Sequence, residues 1–600
     1  MPAGVEGRSA HGEAVSIIAA KMHSIAAASL RAAALAFVFI FALLVVPPRA
    51  TAQQPVRQVQ PDLGRTEKYF ETLEREQSRA KRPAALPSAP TLSGSGDARP
   101  MFGLKGVTVE GATVLSGQAI ADAYRPYLGR TVSQADLAAI AGRIGDLYRA
   151  AGYHLSRAIV PPQDVDGGRI RIQVIEGRIT EVVVKGDDAQ RFGVRPLLAP
   201  IAAESVARRA TLERALLLVN DLPGARIADS ALEEIGTRTG RFRLTVTVES
   251  WQIYTALSTD NRGTKAVGPW QTYVATSLNS SLVGGDTLGL NLSTVPDTPH
   301  ELGFGRLFYN LPVGNDGARI GVVGAYGEQR PGDDRAAIDT VDRTGLFDVR
   351  GTIVPIRSRE QSLWLSGGFA VGEFYEDTVF GANYRDHIRA LYVTADYQLH
   401  DRFNGFNYWT VTARQGLPIL GSSDRDDPLI SRLDGSGNFT KLVAFYTRYQ
   451  PLSDVWSIKL SFAGQLASTA LLASEEFYLG SAFGRGFWGA DVSGDNGVGG
   501  SFELRFDQVL NHAWLTGYQL YGYVDRTDAW NFHSTGEALS LTLAGAGVRF
   551  YLPYDLQLGI EGAVPLEYHI PFPQPQEARA FFSISKVFKF CPGSREMHCS

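Results

Sequence analysis

Between residues 251 and 590 apolar and polar side chains alternate with a period of two, in stretch after stretch. Leu288, Leu290 and Leu292 are separated by Gly289 and Asn291; Phe502, Leu504 and Phe506 alternate with Glu503, Arg505 and Asp507; Trp456 to Phe462 repeats the pattern. Successive side chains of a strand face opposite ways, so each stretch has one greasy face and one polar face. A soluble β-sandwich alternates too. Here the stretches number well over twelve, and the polar faces carry Lys, Arg, Glu and Asp opposite aromatics. Turn-rich gaps such as Asp434-Gly435-Ser436-Gly437 separate them, and 63 of the 600 residues are glycine, above the usual ~7%. An outward apolar band over a polar interior is the pattern of a transmembrane barrel, whose strands need about 9–11 residues.

The other end of the chain decides the compartment. Lys21 and Arg31 precede an apolar run from Ala32 to Val46, followed by Pro47, Pro48 and the small residues Ala50-Thr51-Ala52. Such a run is shorter than the ~20 residues a spanning helix requires. Positive flank, short apolar core and A-x-A site predict a signal peptide over residues 1–52, against the alternative of a retained anchor. The long flank before Lys21 also fits a translation start at Met22. No later segment reads as a membrane helix. A mature chain embedded in a membrane must then be a closed barrel, since no other strand arrangement satisfies every backbone group in lipid.

Residues 53–82 hold a short helical pattern, Thr66 to Arg79, with Tyr69, Phe70 and Leu73 on one side. Alone in water it is too short to be stable, so it needs a surface to pack on. Residues 83–100, rich in Pro and Ser, read as a linker. Two β-α-α-β-β repeats follow, at 101–177 and 178–250. In the first, a strand near Leu104–Val109 leads to helices near Ser116–Tyr127 and Ser133–Ala151, with Ser133 and Asp136 as a weak capping-box variant and Gly152 as the stop. Strands at His154–Val160 and Arg169–Ile175 complete it. The second has a strand at Ile179–Val184, helices at Phe192–Pro200 and Thr211–Val219, a turn at Leu222-Pro223-Gly224, and a last strand at Arg241–Glu249.

The run Gly152 to Asp164 (GYHLSRAIVPPQD) and the run Gly168 to Ile179 (GRIRIQVIEGRI) resemble the POTRA domains of two-partner secretion transporters. Leu216 to Gly224 (LLLVNDLPG) resembles the second POTRA of that family, and Asp260-Asn261-Arg262-Gly263 its opening barrel motif. The likeness spans essentially the whole mature chain. It implies α+β periplasmic POTRA domains followed by an all-β transmembrane barrel of about 16 antiparallel strands in the bacterial outer membrane. It further implies that Tyr69, Phe70 and Leu73 belong to a pore-plug helix. The function it implies is export of a large secreted β-helical exoprotein of haemolysin or adhesin type, received unfolded by the POTRA domains.

Two barrel motifs carry the transport chemistry in that resemblance. Gly484-Arg485-Gly486-Phe487 is similar to the V-R-G-F/Y tip of a loop folded into the pore, and Tyr523-Val524-Asp525-Arg526-Thr527 to an F-x-D-x-G motif on a nearby strand. Alternation adds independent support. If Leu520, Gly522 and Val524 face lipid, then Tyr521, Tyr523 and Asp525 face the lumen, where a carboxylate can receive the flat fork of Arg485 at two points. Gly484, Tyr523 and Thr527 depart from the family pattern; Arg485 and Asp525 keep it.

The POTRA strand His154, Leu155, Ser156, Arg157, Ala158, Ile159 and Val160, ended by Pro161-Pro162, is a candidate edge for pairing with an extended substrate, or a strand whose prolines blunt that edge. Other classes fit poorly. The balance of 58 basic against 62 acidic residues gives no bulk charge for nucleic acid. There is no G-x-S-x-G, H-E-x-x-H or P-loop, hence no expected enzyme activity, cofactor or metal. An insertase for other barrels shares the plan but usually has more POTRA domains, and a gated nutrient receptor would carry one plug domain. The barrel is expected to sit in outer-membrane lipid, delivered by the barrel assembly machinery reading Phe590. Residues 591–600, with both cysteines, Cys591 and Cys599, are expected to be a dispensable tail.

Overall fold

The computed structural model describes residues 63–64, 66–67, 69–71, 87, 97–186, 190–264, 266–478, 485, 493–532, 539–569 and 577–590. The expected signal segment and tail, most of the expected linker, and Leu73 lie outside the described residues.

In the first β-α-α-β-β unit the strand Arg169–Ile175 is central, parallel to Gly106–Glu110 and antiparallel to Arg157–Ile159. Its sequence dictates this place: Ile170, Ile172 and Val174 are buried while Arg169, Arg171 and Gln173 are exposed. The buried face meets Ile140, Ile144 and Tyr148 of the helix Gln134–Ala150. That helix starts on a complete capping box. The Ser133 hydroxyl accepts the Asp136 N–H at 3.2 Å, and the Asp136 carboxylate accepts the Ser133 N–H at 2.8 Å. It stops at Gly152, whose φ of +90° suits glycine alone.

The stretch His154–Val160 is a strand only over Arg157–Ile159. The residues before it turn instead, with the Tyr153 N–H on the Tyr148 carbonyl and the Ser156 N–H on the Tyr153 carbonyl. They form the joint to the next unit. Leu155 is buried in the second unit's core, and the Ser156 hydroxyl accepts the Gly177 N–H at 3.1 Å.

The second unit repeats the plan with sheet order Arg178–Lys185, Arg241–Ser250, Ala225–Glu234 and helices Val194–Ala203 and Arg209–Asn220. The strand Ala225–Glu234 was not apparent as one. Its sequence, ARIADSALEE, is rich in helix formers, and the pairing is broken by a bulge between Ile227 and Asp229. An edge position, with one side open, tolerates both.

Among the described residues sixteen antiparallel strands, from Ile253–Asp260 to Arg579–Phe590, close into a barrel, first strand pairing with last from Ile253↔Phe590 to Asp260↔Ser583. Leu288, Leu290 and Leu292 point outward and are exposed, whereas Asn291 and Ser293 between and beside them are buried in the interior. The Asn261 side chain, just past the first strand, holds the last strand at two points, donating to the Ala580 carbonyl at 3.0 Å and accepting the Phe582 N–H at 2.7 Å. No helix among the described residues is long and apolar enough to cross a membrane; crossing falls to the strands.

The described residues between 63 and 71 are helical and lie against the inside of this wall. Tyr69 stacks on Tyr273 with ring centroids 4.3 Å apart, and Phe70 faces Phe304 at 6.0 Å. Leu63 and Phe70 are buried in the same apolar cluster. A segment too short to hold itself together thus acquires its structure from the lumen wall.

Candidate functional site

The strands Asn496–His512 and Leu515–Trp530 pair with Ser501 opposite Asp525, Glu503 opposite Tyr523 and Arg505 opposite Tyr521. Because alternation sends Phe502, Leu504, Leu520 and Val524 outward, these six side chains tile one patch of the lumen. Arg485, on the loop between Ala467 and Asn496, lies across that patch. Its Nε and Nη2 donate to the two oxygens of Asp525 at 3.1 and 3.0 Å. Its Nη1 donates to Glu503 at 2.6 Å, and Nη2 also reaches the Ser501 hydroxyl at 3.2 Å. The guanidinium carbon sits 3.5 Å from the centroid of the Tyr523 ring. One flat cation is therefore gripped at its edges by two carboxylates and on its face by an aromatic, which a lysine could not reproduce.

The patch is braced from behind. The hydroxyls of Tyr521 and Tyr523 donate to Glu561 at 2.6 and 2.7 Å, and Arg262 pairs with Glu561 at 3.0 Å. Arg262 also approaches the Arg485 carbonyl at 3.5 Å and lies over Phe581 of the last strand. Arg505 takes the other oxygen of Glu503, from Nε at 2.6 Å. Asp525 and Glu503 are each 1% exposed, so these charges have little water and depend on one another. Gly484, Gly486 and Phe487 lie outside the described residues.

Glu503, Ser501 and Glu561 had no motif to mark them. Alternation put Glu503 on the polar face of its strand, and the strand register, had it been readable, would have set it beside Tyr523. Glu561 was hidden by distance, 36 residues beyond Asp525. Of the POTRA candidates, Leu155 and Ser156 are consumed in the joint, and Arg157 pairs with Glu234 at 2.7 Å. His154 is packed beside them, its imidazole held below its ordinary pKa by burial and then by nearby Arg209. Ala158 and Ile159 remain on the sheet edge with Val160 just beyond. Among the described residues no cluster of His, Cys, Asp and Glu is arranged to hold a metal ion.

A cavity of about 1260 Å³ lies between the barrel wall and the second unit, lined by Glu67, Glu71, Leu218, Arg350, Trp364 and Tyr392. The helical residues and the second unit thus border one continuous space. Residues 102–177 match the model of the POTRA domain, ShlB-type, and residues 241–550 match that of the haemolysin secretion/activation protein ShlB/FhaC/HecB. The chain belongs to that family.

Its members are outer-membrane transporters with periplasmic POTRA domains, which carry a secreted partner protein and are not enzymes. Relatives include the heme/hemopexin transporter protein HuxB of Haemophilus influenzae (strain 86-028NP), 22% identical over 75% of this transporter and 81% of HuxB. The hemolysin transporter protein HpmB of Proteus mirabilis is 24% identical over 69% of this chain and 73% of its own. Among solved structures, CdiB from Escherichia coli superposes with a TM-score of 0.71 at 19% identity, covering 89% of this transporter and 100% of CdiB. At that identity the likeness establishes the fold, POTRA units leading into a barrel.

Proposed function

We propose that this transporter receives one large exoprotein, of β-helical haemolysin or adhesin type, as an unfolded chain and passes it through the barrel to the cell surface. The reading rests on one observation above all: a loop arginine, Arg485, bound inside the lumen by Asp525 and Glu503 in a barrel preceded by two POTRA-like units. A loop held in the pore by ion pairs is a removable obstruction. The helical residues around Tyr69 and Phe70 are a second one, and we assign them the role of a resting plug.

The periplasmic units supply the receiving surface. Extended substrate can add to a sheet edge through backbone hydrogen bonds, which tolerate many sequences. Of the stretch first considered, only Arg157–Ile159 is an edge strand, so pairing there is limited to about one short contact. Outside, the leucine-rich faces meet outer-membrane lipid, and the strand Arg579–Phe590 ends on the aromatic that we assign to recognition by the assembly machinery.

The insertase alternative loses ground at the seam. First and last strands pair along the full length of Ile253–Asp260 and are further clamped by Asn261, which leaves little to open sideways. The test is direct. The transporter is co-produced with a large β-helical exoprotein of the haemolysin or adhesin type, and the exoprotein is assayed in the medium. Secretion that depends on the transporter supports the reading; exoprotein retained in the periplasm with an assembled barrel overturns it.

A further inference from the structure

The pore loop is held at a second place, far from its tip. It leaves the strand Trp456–Ala467 and returns at Asn496, and near both ends it closes into a short ribbon, Phe477–Tyr478 paired with Ser493–Gly494. Directly beside that ribbon stand Glu476 and Asp495, 2% and 0% exposed at their side chains. Two buried carboxylates this close would repel each other without a cation between them. Arg432, from the preceding loop, supplies it: Nη1 donates to Glu476 and to Asp495, each at 2.6 Å, and to the Leu471 carbonyl at 2.9 Å.

Asp495 does more than accept Arg432. It takes the Leu471 N–H at 2.7 Å, where the loop begins, and the Phe532 N–H at 2.8 Å, from the following loop. One side chain therefore ties three successive loops together. The neighbouring Glu475 points the other way, to Arg414 and Lys441 of the barrel wall, both at 2.8 Å. Consecutive glutamates thus fasten the loop on two sides where it enters the pore. None of this uses Arg485, Asp525 or Glu503.

We infer that Arg432, Glu476 and Asp495 form a fixed neck that makes the loop enter the lumen, and that the lock at Arg485 acts only on its tip. They are positioning residues, and the inference deepens the export reading on which it rests. Arg485 is nine residues from Glu476 and ten from Asp495. At ~3.3–3.6 Å per residue the tip then stays within about 35 Å of its neck whatever the tip contacts do. Releasing the tip lets the loop move within the pore. Releasing the neck lets it leave.

The experiment reads loop position without any exoprotein. Cys591 and Cys599 are replaced by Ser, Ala490→Cys is introduced in the loop, and intact cells are treated with a membrane-impermeant maleimide. Arg432→Ala and Asp495→Asn are expected to label about tenfold faster or more than the parent, since the first leaves two buried carboxylates without their cation and the second removes one of the two charges that hold Arg432. Arg485→Ala should label far less than either neck variant. Arg432→Lys should fall between, keeping the charge but losing the several-point grip. Heat-modifiability on a gel reports assembly. If Arg432→Ala does not assemble, Asp495→Asn, which keeps the shape, and Glu476→Gln, which leaves Arg432 on Asp495, carry the test. Parent-like labelling in the assembled neck variants, or Arg485→Ala labelling as fast as they do, overturns the inference. A parent that labels slowly yet exports nothing would instead count against the export reading.

Discussion

Arg357, at the periplasmic end of its barrel strand, holds both carboxylate oxygens of Asp221, donating from Nε at 2.7 Å and Nη2 at 2.6 Å. Asp221 caps the helix Arg209–Asn220 of the second periplasmic unit, so this fork joins that unit to the barrel rim. The guanidinium also lies over Trp364, 5.3 Å from the ring centroid, in an apolar patch where Leu218 of the helix meets Val354 of the barrel. Arg214 reaches Asp316 and the Val354 carbonyl from the same helix, at 2.8 and 2.7 Å. The second periplasmic unit is thereby fixed over the cavity.

Asp221→Ala should loosen this contact. Both side chains are mostly buried, at 10% and 18% exposure, so the cost should lie between the ~1 kcal/mol of an exposed pair and the ~3–5 kcal/mol of a buried one. Hydrogen exchange is expected to rise in the helix Arg209–Asn220 while barrel strands stay protected. Equal protection in the variant and the parent would show that apolar packing alone seats the unit.

The pore lock makes an asymmetric prediction. Asp525→Ala leaves Arg485 its bond to Glu503, whereas Arg485→Ala leaves two carboxylates facing one another without their shared cation. Secretion should fall in both, more steeply for Arg485→Ala, with barrel assembly intact. Arg485→Lys should recover only part, since an ammonium cannot meet two carboxylates and an aromatic face together. A double-mutant cycle should give losses far from additive, because contacting residues couple by about 0.5–3 kcal/mol. A double variant secreting at the product of the single losses would mean that the two residues act independently.

The sequence revealed the barrel readily because lipid imposes a strict period of two, and the outward-facing Leu520 and Val524 force Tyr521, Tyr523 and Asp525 inward. It revealed both periplasmic units, but not the strand Ala225–Glu234, whose helix-forming residues conceal a bulged edge. The strand expected over His154 to Ser156 does not form, for a different reason. Their apolar-polar pattern is that of a strand, yet Leu155 is drawn into a neighbouring unit's core, and contact across a joint leaves no local periodicity. Glu561 and the Arg432 neck were equally invisible. Their partners come from strands and loops tens of residues away, and only the closed register brings them together.

The helix within the barrel yields a conductance prediction. Phe70 is fully buried against Tyr273 and Phe304, and Tyr69 stacks beside it. Removing residues 53–82 should raise single-channel conductance in planar bilayers and leave secretion largely intact. Phe70→Ala should do so in part, by making the helix leave its seat more often; truncating a buried aromatic costs about 3–5 kcal/mol in a well-packed core. Unchanged conductance in the deletion would end its assignment as a plug.

In the first periplasmic unit, Glu176 couples stability to pH. Burial pushes its carboxyl pKa up, but hydrogen bonds from the Thr113 hydroxyl and N–H, the Tyr148 hydroxyl and the Val114 N–H outweigh that and hold it below the ordinary value. The folded form thus favours the ionised group more than the unfolded chain does, whose glutamates titrate near ~4.3. The stabilisation is complete above that pH and is lost as pH falls through it toward the lower folded value. Glu176→Gln should therefore weaken the unit at pH 7, and the gap between variant and parent should close as the pH drops below about 4. Hydrogen exchange over Gly106–Glu110 and Gln134–Ala150, followed in the intact transporter from pH 7 downward, measures it. A gap that stays constant across that range would mean that the amide's NH2 donor, not the lost charge, weakens the unit at this position.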